Sequence, residues 1–380
     1  MPSYVKSETV AYSVATGAQL WAKTYLPANS GGPDDAIAVS PDGAQVYVSG
    51  YAIGQGAVTI AYAAGTGRQL WVSHSKGVGL SGLAVSPDGT TVYEAGSGRV
   101  SGRTYIAVIA YDAAAGRQRW LRYYTTVKPA YAELGAVAVS PDGTTVYVAG
   151  DAGAAFPSSF SLIVLAYRAA GTLKWATRYA NRYTGGVNAG GAFGGPIVLG
   201  PGGSDRYVDG TVSSKAGHHV TATSAFRAAT GKCLWLDPES ARGGGGHDAV
   251  TPGGRTVIVV GDRTGDTAGG YAITSYNAST GATRWAKRAP VPGDAPMYPA
   301  GLVIDPHGDT AFVASAEYGG GYDLAAWSVA RGTVLWTTRY AAAKVYSPAA
   351  IALSRDGARL FVTGSAGSPI SGMTTVAYQT

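Results

Sequence analysis

The sequence predicts an all-β fold, a seven-bladed β-propeller of four-stranded antiparallel blades that runs through residues 1–380 as one domain. Three observations carry this. A tryptophan follows a glycine turn seven times, at Trp21, Trp71, Trp120, Trp175, Trp235, Trp285 and Trp336, with separations of 50, 49, 55, 60, 50 and 51 residues. Between successive tryptophans stands a second mark, Ser40-Pro41-Asp42-Gly43, Ser86-Pro87-Asp88-Gly89 and Ser140-Pro141-Asp142-Gly143. It degenerates to Pro201-Gly202-Gly203, Pro252-Gly253-Gly254, Pro306-His307-Gly308 and Arg355-Asp356-Gly357. Each unit holds four short β-like runs and no helical period. Such a unit cannot bury its faces alone, and closing several units into a ring solves the problem.

The unit from Ala36 to Ser73 serves as the pattern for the rest. Strand A is Ala36 to Ser40, B is Gln45 to Gly50, C is Val58 to Ala63 and D is Arg68 to Ser73. Ser-Pro-Asp-Gly suits a type I turn between A and B, because proline fixes φ at the second position and glycine tolerates the fourth. Thr16-Gly17, Thr66-Gly67, Thr230-Gly231 and Thr280-Gly281 close C-to-D hairpins in the same way. At the ends of the chain the strand count exceeds one blade. Thr9-Val10-Ala11-Tyr12 and Thr375-Val376-Ala377-Tyr378 repeat one tetrapeptide and compete for one C position, and the C-terminal copy is the favoured occupant. Trp21 and its strand D are expected to close the ring in the blade whose inner strands come from Pro348 to Gly364.

Composition narrows the class. Glycine, at 56 of 380 residues, sits at fixed places in the repeat and so marks turns rather than disorder. There is no run of 18 apolar residues, and Met1 to Glu8 lack the basic start and apolar stretch of a signal peptide. Neither a membrane span nor a leader is expected in this stretch. Cys233, the single cysteine, excludes an internal disulfide and a cysteine-based zinc cluster, and reads as a small hydrophobe beside Leu234 and Trp235. The net charge of +6 is dispersed, which argues against nucleic-acid binding. Arg119, Arg122, Lys174, Arg178, Lys232, Arg284, Lys287, Arg288 and Arg339 cluster around the tryptophans, where charge on outermost strands opposes edge-to-edge pairing.

The stretches Ala11-Tyr12 through Thr16-Gly17 to Trp21, Ala110-Tyr111-Asp112 through Gly116 to Trp120, and Ser275-Tyr276-Asn277 through Thr280-Gly281 to Trp285 resemble the tryptophan-docking motif of quinoprotein-type propellers. Strands such as Val146 to Gly150 are similar to the related YVTN-type repeats, and the resemblance covers essentially the whole chain. It implies that each tryptophan packs between neighbouring blades, where a large ring buries roughly 150–250 Å². It also implies a bacterial source and a secreted or periplasmic home. Quinoprotein dehydrogenases typically have eight blades, a pair of adjacent cysteines at the quinone and a calcium site. With Cys233 alone the cysteine pair cannot exist, so no cofactor is expected and pyrroloquinoline quinone least of all.

The A-to-B and C-to-D turns fall on one face of such a fold and are short and uniform. The B-to-C and D-to-A connections fall on the other and differ in every blade: Leu26 to Asp35, Thr125 to Leu134, Asn181 to Gly194, Asp237 to Gly246 and Pro290 to Pro299. Variable loops on a rigid scaffold are where binding resides. Within them Gly243-Gly244-Gly245-Gly246-His247-Asp248 departs furthest from the repeat, since His247 and Asp248 replace Ala36 and Ile37 of the pattern unit. Read functionally, His247 and Asp248 are an acid-base pair, or hold a divalent metal with one of His218 and His219. Read structurally, Asp248 caps a turn and the histidines pack or face solvent. The remaining candidates for ligand contact on this face are Tyr131, Glu133, Phe193, Arg242, Tyr298, Glu317 and Tyr346, in which aromatic rings, the tyrosines with polar tips, are interleaved with charge.

Two motif matches carry nothing. Gly77-Val78-Gly79-Leu80-Ser81-Gly82 fits a dinucleotide fingerprint but precedes no helix, and Asn277-Ala278-Ser279 is a glycosylation sequon inside a hairpin turn. The expected function is a non-catalytic propeller, monomeric, that grips a small molecule, glycan or protein with its variable face and channel mouth. The alternative is a lyase, hydrolase or cyclase working through His247 and Asp248.

Overall fold

The computed structural model of the protein describes residues 7–12, 19–25, 36–52, 56–76, 78–100, 103–125, 131–153, 160–180, 194–203, 205–213, 219–242, 246–261, 270–289, 297–317, 322–340, 345–354, 356–366 and 372–379. They fall into two compact units, Met1–Asn181 and Arg182–Thr380. In the first, β1 (Ser7–Tyr12) pairs with β2 (Gln19–Tyr25). Three four-stranded sheets follow: β3 (Ala36–Val39), β4 (Gln45–Ala52), β5 (Gly56–Ala63) and β6 (Gln69–Ser75); β7 (Val78–Val85), β8 (Thr91–Val100), β9 (Arg103–Asp112) and β10 (Gln118–Thr125); β11 (Tyr131–Val139), β12 (Thr145–Gly153), β13 (Phe160–Arg168) and β14 (Leu173–Ala180).

The second unit holds β15 (Gly194–Leu199), β16 (Asp205–Ser213), β17 (His219–Arg227) and β18 (Cys233–Arg242); β19 (His247–Val250), β20 (Thr256–Gly261), β21 (Ala272–Asn277) and β22 (Thr283–Arg288); and β23 (Met297–Ile304), β24 (Thr310–Glu317), β25 (Tyr322–Ser328) and β26 (Val334–Tyr340). A three-stranded sheet of β27 (Val345–Leu353), β28 (Arg359–Ala366) and β29 (Gly372–Gln379) ends it. Every sheet is an antiparallel meander of chain neighbours, and no α-helix occurs among the described residues. The fold is all-β and that of a propeller, as the repeat predicts.

The A-to-B turns form as their residues dictate. Gly43 N–H donates to the Ser40 carbonyl at 2.8 Å, and Gly43 adopts φ +72°, which glycine alone enters freely. The Asp42 carboxylate accepts from Ser40 Oγ at 2.5 Å and from the Ala44 amide at 3.0 Å, so it closes the turn from outside. These two bonds hold its carboxyl below the ordinary value, the serine contributing most, and the same arrangement recurs at Asp88, Asp142 and Asp356. In addition, the proline of one turn reaches the glycine of the next: Pro87 Cδ lies 3.6 Å from where a Cβ on Gly143 would be.

Tryptophans join consecutive sheets. Trp71 Nε1 donates to the Ala113 carbonyl at 2.9 Å, and the ring lies across Gly116, where a Cβ would approach the indole to 2.6 Å. Trp21 repeats this on Ala64 and Gly67, Trp120 on Ala169 and Gly171, Trp235 on Ala278 and Gly281, and Trp285 on Val329 and Gly332. Between the sheets lie alternating faces of aromatic and branched side chains. Tyr47, Ala61 and Trp71 of one sheet meet Val92, Ile109 and Tyr111 of the next.

Some expectations are refined. Arg122 does more than guard an edge: its guanidinium lies 5.8 Å over the Trp120 ring and its Nε donates to the Gly171 carbonyl at 2.8 Å. Arg119 pairs with Asp112 at 3.0 Å across a hairpin. Cys233 is half-buried, donates to the Trp235 carbonyl at 3.3 Å, and its thiol is pushed up by burial, which suits an inert packing residue. Both copies of the duplicated tetrapeptide are paired. β29 runs beside β28 with Thr363 opposite Thr375, and β1 runs beside β2 with the bulge between Ala11 and Tyr12 that other C-to-D pairs carry, as between Ala61 and Tyr62.

Candidate functional site

Antiparallel order fixes where the candidate residues stand. In a four-stranded meander the start of A, the end of B, the start of C and the end of D lie at one end of the sheet. Tyr131 opens β11, and Glu133 pairs with Asp151 near the end of β12. In the second unit His247 opens β19, Tyr298 is the second residue of β23, Tyr346 the second of β27, Glu317 closes β24, His219 opens β17 and Arg242 closes β18. Each therefore lies at the variable-loop end of its own sheet, and Arg242 is opposite Val220, one step from His219. Phe193 and His218 lie outside the described residues, as do the side chains of Tyr131, Glu133, His219, Arg242, Glu317 and Tyr346.

Three of the candidates have described side chains, and strand alternation separates them. Asp248 is opposite Val259, which packs with Tyr207 and Ala225 of the preceding sheet, whereas His247 is opposite Val260, which packs toward Leu302 and Val313 of the following one. His247 and Asp248 thus occupy opposite faces of the sheet β19–β22 and do not converge on one point. Asp248 is 5% exposed. The His247 ring bonds to the backbone of Pro299 in β23, and since proline has no N–H the imidazole is the donor. Burial holds this imidazole below its ordinary value, with the Pro299 carbonyl opposing, so it is neutral at pH 7 and its second nitrogen is free of a proton. Next to that bond, Tyr298 is 39% exposed. His247 and Tyr298 thus stand at the same end of adjacent sheets but on different sides: Met297 packs toward the sheet of His247, so by alternation Tyr298, opposite Ala316, lies on the other face of β23.

Metal chemistry finds no ready cluster: no group of three His, Cys, Asp or Glu side chains gathers among the described residues. At the opposite, uniform end of the first unit there is a cleft of about 720 Å³ lined by Asp88, Asp142, Arg168 and Lys174 among others. Its polar groups serve the turns, since Asp88 and Asp142 accept from Ser86 and Ser140 and Lys174 Nζ donates to Thr145 Oγ1 at 2.9 Å.

One buried acid was not singled out in the sequence. Glu94 in β8 is 0% exposed, and the same row of the other B strands carries Val48, Val148, Val208, Val259, Val313 and Val362. Registers with the A strands align these seven residues, with Glu94 opposite Leu83, Val148 opposite Val137 and Val362 opposite Ile351. Comparing the seven B strands column by column would have found it.

A family model described as outer membrane protein assembly factor BamB matches residues 6–209 and 218–373. No curated protein sequence matches the chain. Among solved structures, hydrazine synthase of Kuenenia stuttgartiensis superposes with a TM-score of 0.59 at 14% identity, covering 94% of this chain and 97% of that one. A europium-containing methanol dehydrogenase superposes with a TM-score of 0.61 at 15% identity, covering 95% of this chain and 79% of that one. At such identities the likeness is one of fold.

Proposed function

The chain belongs to the repeat family described as outer membrane protein assembly factor BamB, and from this premise we propose that it is a non-catalytic binding propeller whose partner is a protein of the cell envelope. Residues 1–380 act as one seven-bladed monomeric domain, and the partner is gripped by the variable-loop end of the sheets. The observation that carries this reading is the family match along the chain, joined to an exposed tyrosine at that end. Tyrosine supplies contact area and a polar tip at small entropic cost, which is why it anchors protein interfaces. A lyase, hydrolase or cyclase is the second reading, favoured by the unprotonated nitrogen of His247, which suits a general base. Because Asp248 lies on the other face, His247 would work without it.

A photo-crosslinking residue at position 298, compared with one at the exposed Tyr123 in β10, tests the proposal in envelope extracts. Position 298 should trap one discrete protein and position 123 none. With that protein purified, Tyr298→Ala should weaken binding by about 30-fold or more, the threshold of an aromatic hot spot, and leave stability within about 0.5 kcal/mol. Equal trapping at both positions would remove the proposed face, and turnover of a small molecule abolished by His247→Ala would install the enzyme in its place.

A further inference from the structure

We propose that the layer between the sheets β3–β6 and β7–β10 is a proton-dependent joint, in which Glu94 is held as the neutral acid and its ionisation loosens the two sheets from one another. The site lies within the first unit and is independent of the binding face. Glu94 points from β8 toward the preceding sheet, where Thr59 Oγ1 of β5 donates to its Oε1 at 2.5 Å. Its Oε2 is buried and has no hydrogen-bond partner, and nor does Ser49 Oγ of β4, which lies on the same face of its sheet as Thr59 because the two are register mates. Native interiors rarely leave such atoms unpaired, so a lone oxygen on a fully buried acid demands a reason.

The groups facing Glu94 supply no compensating charge. From β4 come Tyr47 and Ser49, from β5 Ala57, Thr59 and Ala61, from β6 Trp71 and Ser75, from β7 Leu83, and from β9 Ile109 and Tyr111. The titratable ones are the two phenols. Tyr47 is pushed up to about 12 by burial, and Tyr111, also raised chiefly by burial, shares a bond of 2.7 Å with Ser75 Oγ, so both are neutral wherever the protein is folded. His74 of β6 is exposed and stands opposite Val58, on the other face. A carboxylate here would be a buried charge with one hydroxyl donor and no cation, an arrangement proteins avoid by keeping the group protonated. Burial accordingly pushes Glu94 up to about 8, with the Thr59 bond opposing.

The direction of the linkage follows. The unfolded carboxyl loses its proton near the ordinary 4.5, whereas the folded one keeps it to about 8. Across this window the native state binds more protons than the unfolded state, so stability is full below it, falls as pH rises through it and levels off above. The interval corresponds to roughly three orders of magnitude in the unfolding equilibrium.

Denaturant unfolding of the full chain at about pH 5, 7 and 9 reads this directly in wild type, Glu94→Gln and Glu94→Val. The amide keeps the shape without the proton equilibrium, and valine is what the other six repeats carry. The expected result is that wild type loses stability relative to both variants by roughly a thousandfold in equilibrium constant over this range. Amide exchange corrected for its intrinsic pH dependence should rise above about pH 8 in β5 and β9, relative to β25, in wild type alone. An infrared carboxylic-acid band should be present in wild type at neutral pH and absent from Glu94→Gln. Parallel unfolding of all three proteins at every pH, unchanged relative exchange in β5 and β9, or no acid band in wild type would overturn the proposal. Should the glutamine variant not fold, the valine variant and the wild-type infrared spectrum decide it.

Discussion

Trp71→Ala is expected to lower the unfolding free energy by about 3–5 kcal/mol, enough to consume much of a typical domain's stability. The indole is 8% exposed, donates to the Ala113 carbonyl at 2.9 Å, and lies 5.8 Å from the Tyr47 ring and 6.4 Å from the Tyr111 ring. Alanine would leave a cavity between two sheets and take the closest donor from a carbonyl that Tyr47 reaches only at 3.4 Å. Trp71→Phe should cost less, because part of the packing survives while a hydrogen bond worth about 1 kcal/mol goes. Leu20→Ala is the control: Leu20 is a neighbour of Trp21 in β2 but is 58% exposed, so its loss should change stability by under about 0.5 kcal/mol. Denaturant unfolding checks all three, and a cost for Trp71→Ala below about 1 kcal/mol would mean that the tryptophan is not what holds the sheets together.

The fold was legible because its determinants are local and repeated. Trp71 and Gly116 are each conspicuous in their own unit, and a period of about fifty residues says that one docks on the next. The site was legible only in part. His247 stands out against Ala36 of the pattern unit, but its partner, the Pro299 carbonyl, lies in another sheet, and no local pattern names a backbone acceptor across a layer. Pairing His247 with Asp248 followed their adjacency in sequence, whereas strand alternation sends the two to opposite faces. Glu94 was passed over because attention to variable loops overlooks a substitution inside an invariant-looking strand, Val-Tyr-Glu-Ala-Gly among Val-Tyr-Val-Ala-Gly. Arg122 read as edge protection since its role over Trp120 depends on the Gly171 carbonyl of the next sheet.

Gly116→Ala should destabilise by about 2–5 kcal/mol, and Gly43→Ala by only about 1–2, although the two glycines share a backbone conformation. Gly116 has φ +68° and Gly43 has φ +72°, so each substitution carries the same penalty for a left-handed alanine, about 1–2 kcal/mol. What differs is the space. Around Gly43 nothing lies within 4 Å of an added Cβ, while at Gly116 the Cβ would be 2.6 Å from Trp71 Cδ2 and Cε3 and 2.9 Å from Ser73 Oγ. The indole cannot retreat without breaking its bond to Ala113, and Ser73 Oγ itself donates to the Gly116 carbonyl, so overpacking adds about 1–3 kcal/mol. The difference between the two variants isolates the docking contact from the turn. Combining Gly116→Ala with Trp71→Ala supplies the decisive measurement: if the clash is the cause, the double variant should cost clearly less than the sum of the singles, because alanine at 71 vacates the space that alanine at 116 needs. Strict additivity, or equal costs for Gly116→Ala and Gly43→Ala, would show that the glycine is kept for its dihedral angle alone and that the tryptophan merely lies nearby.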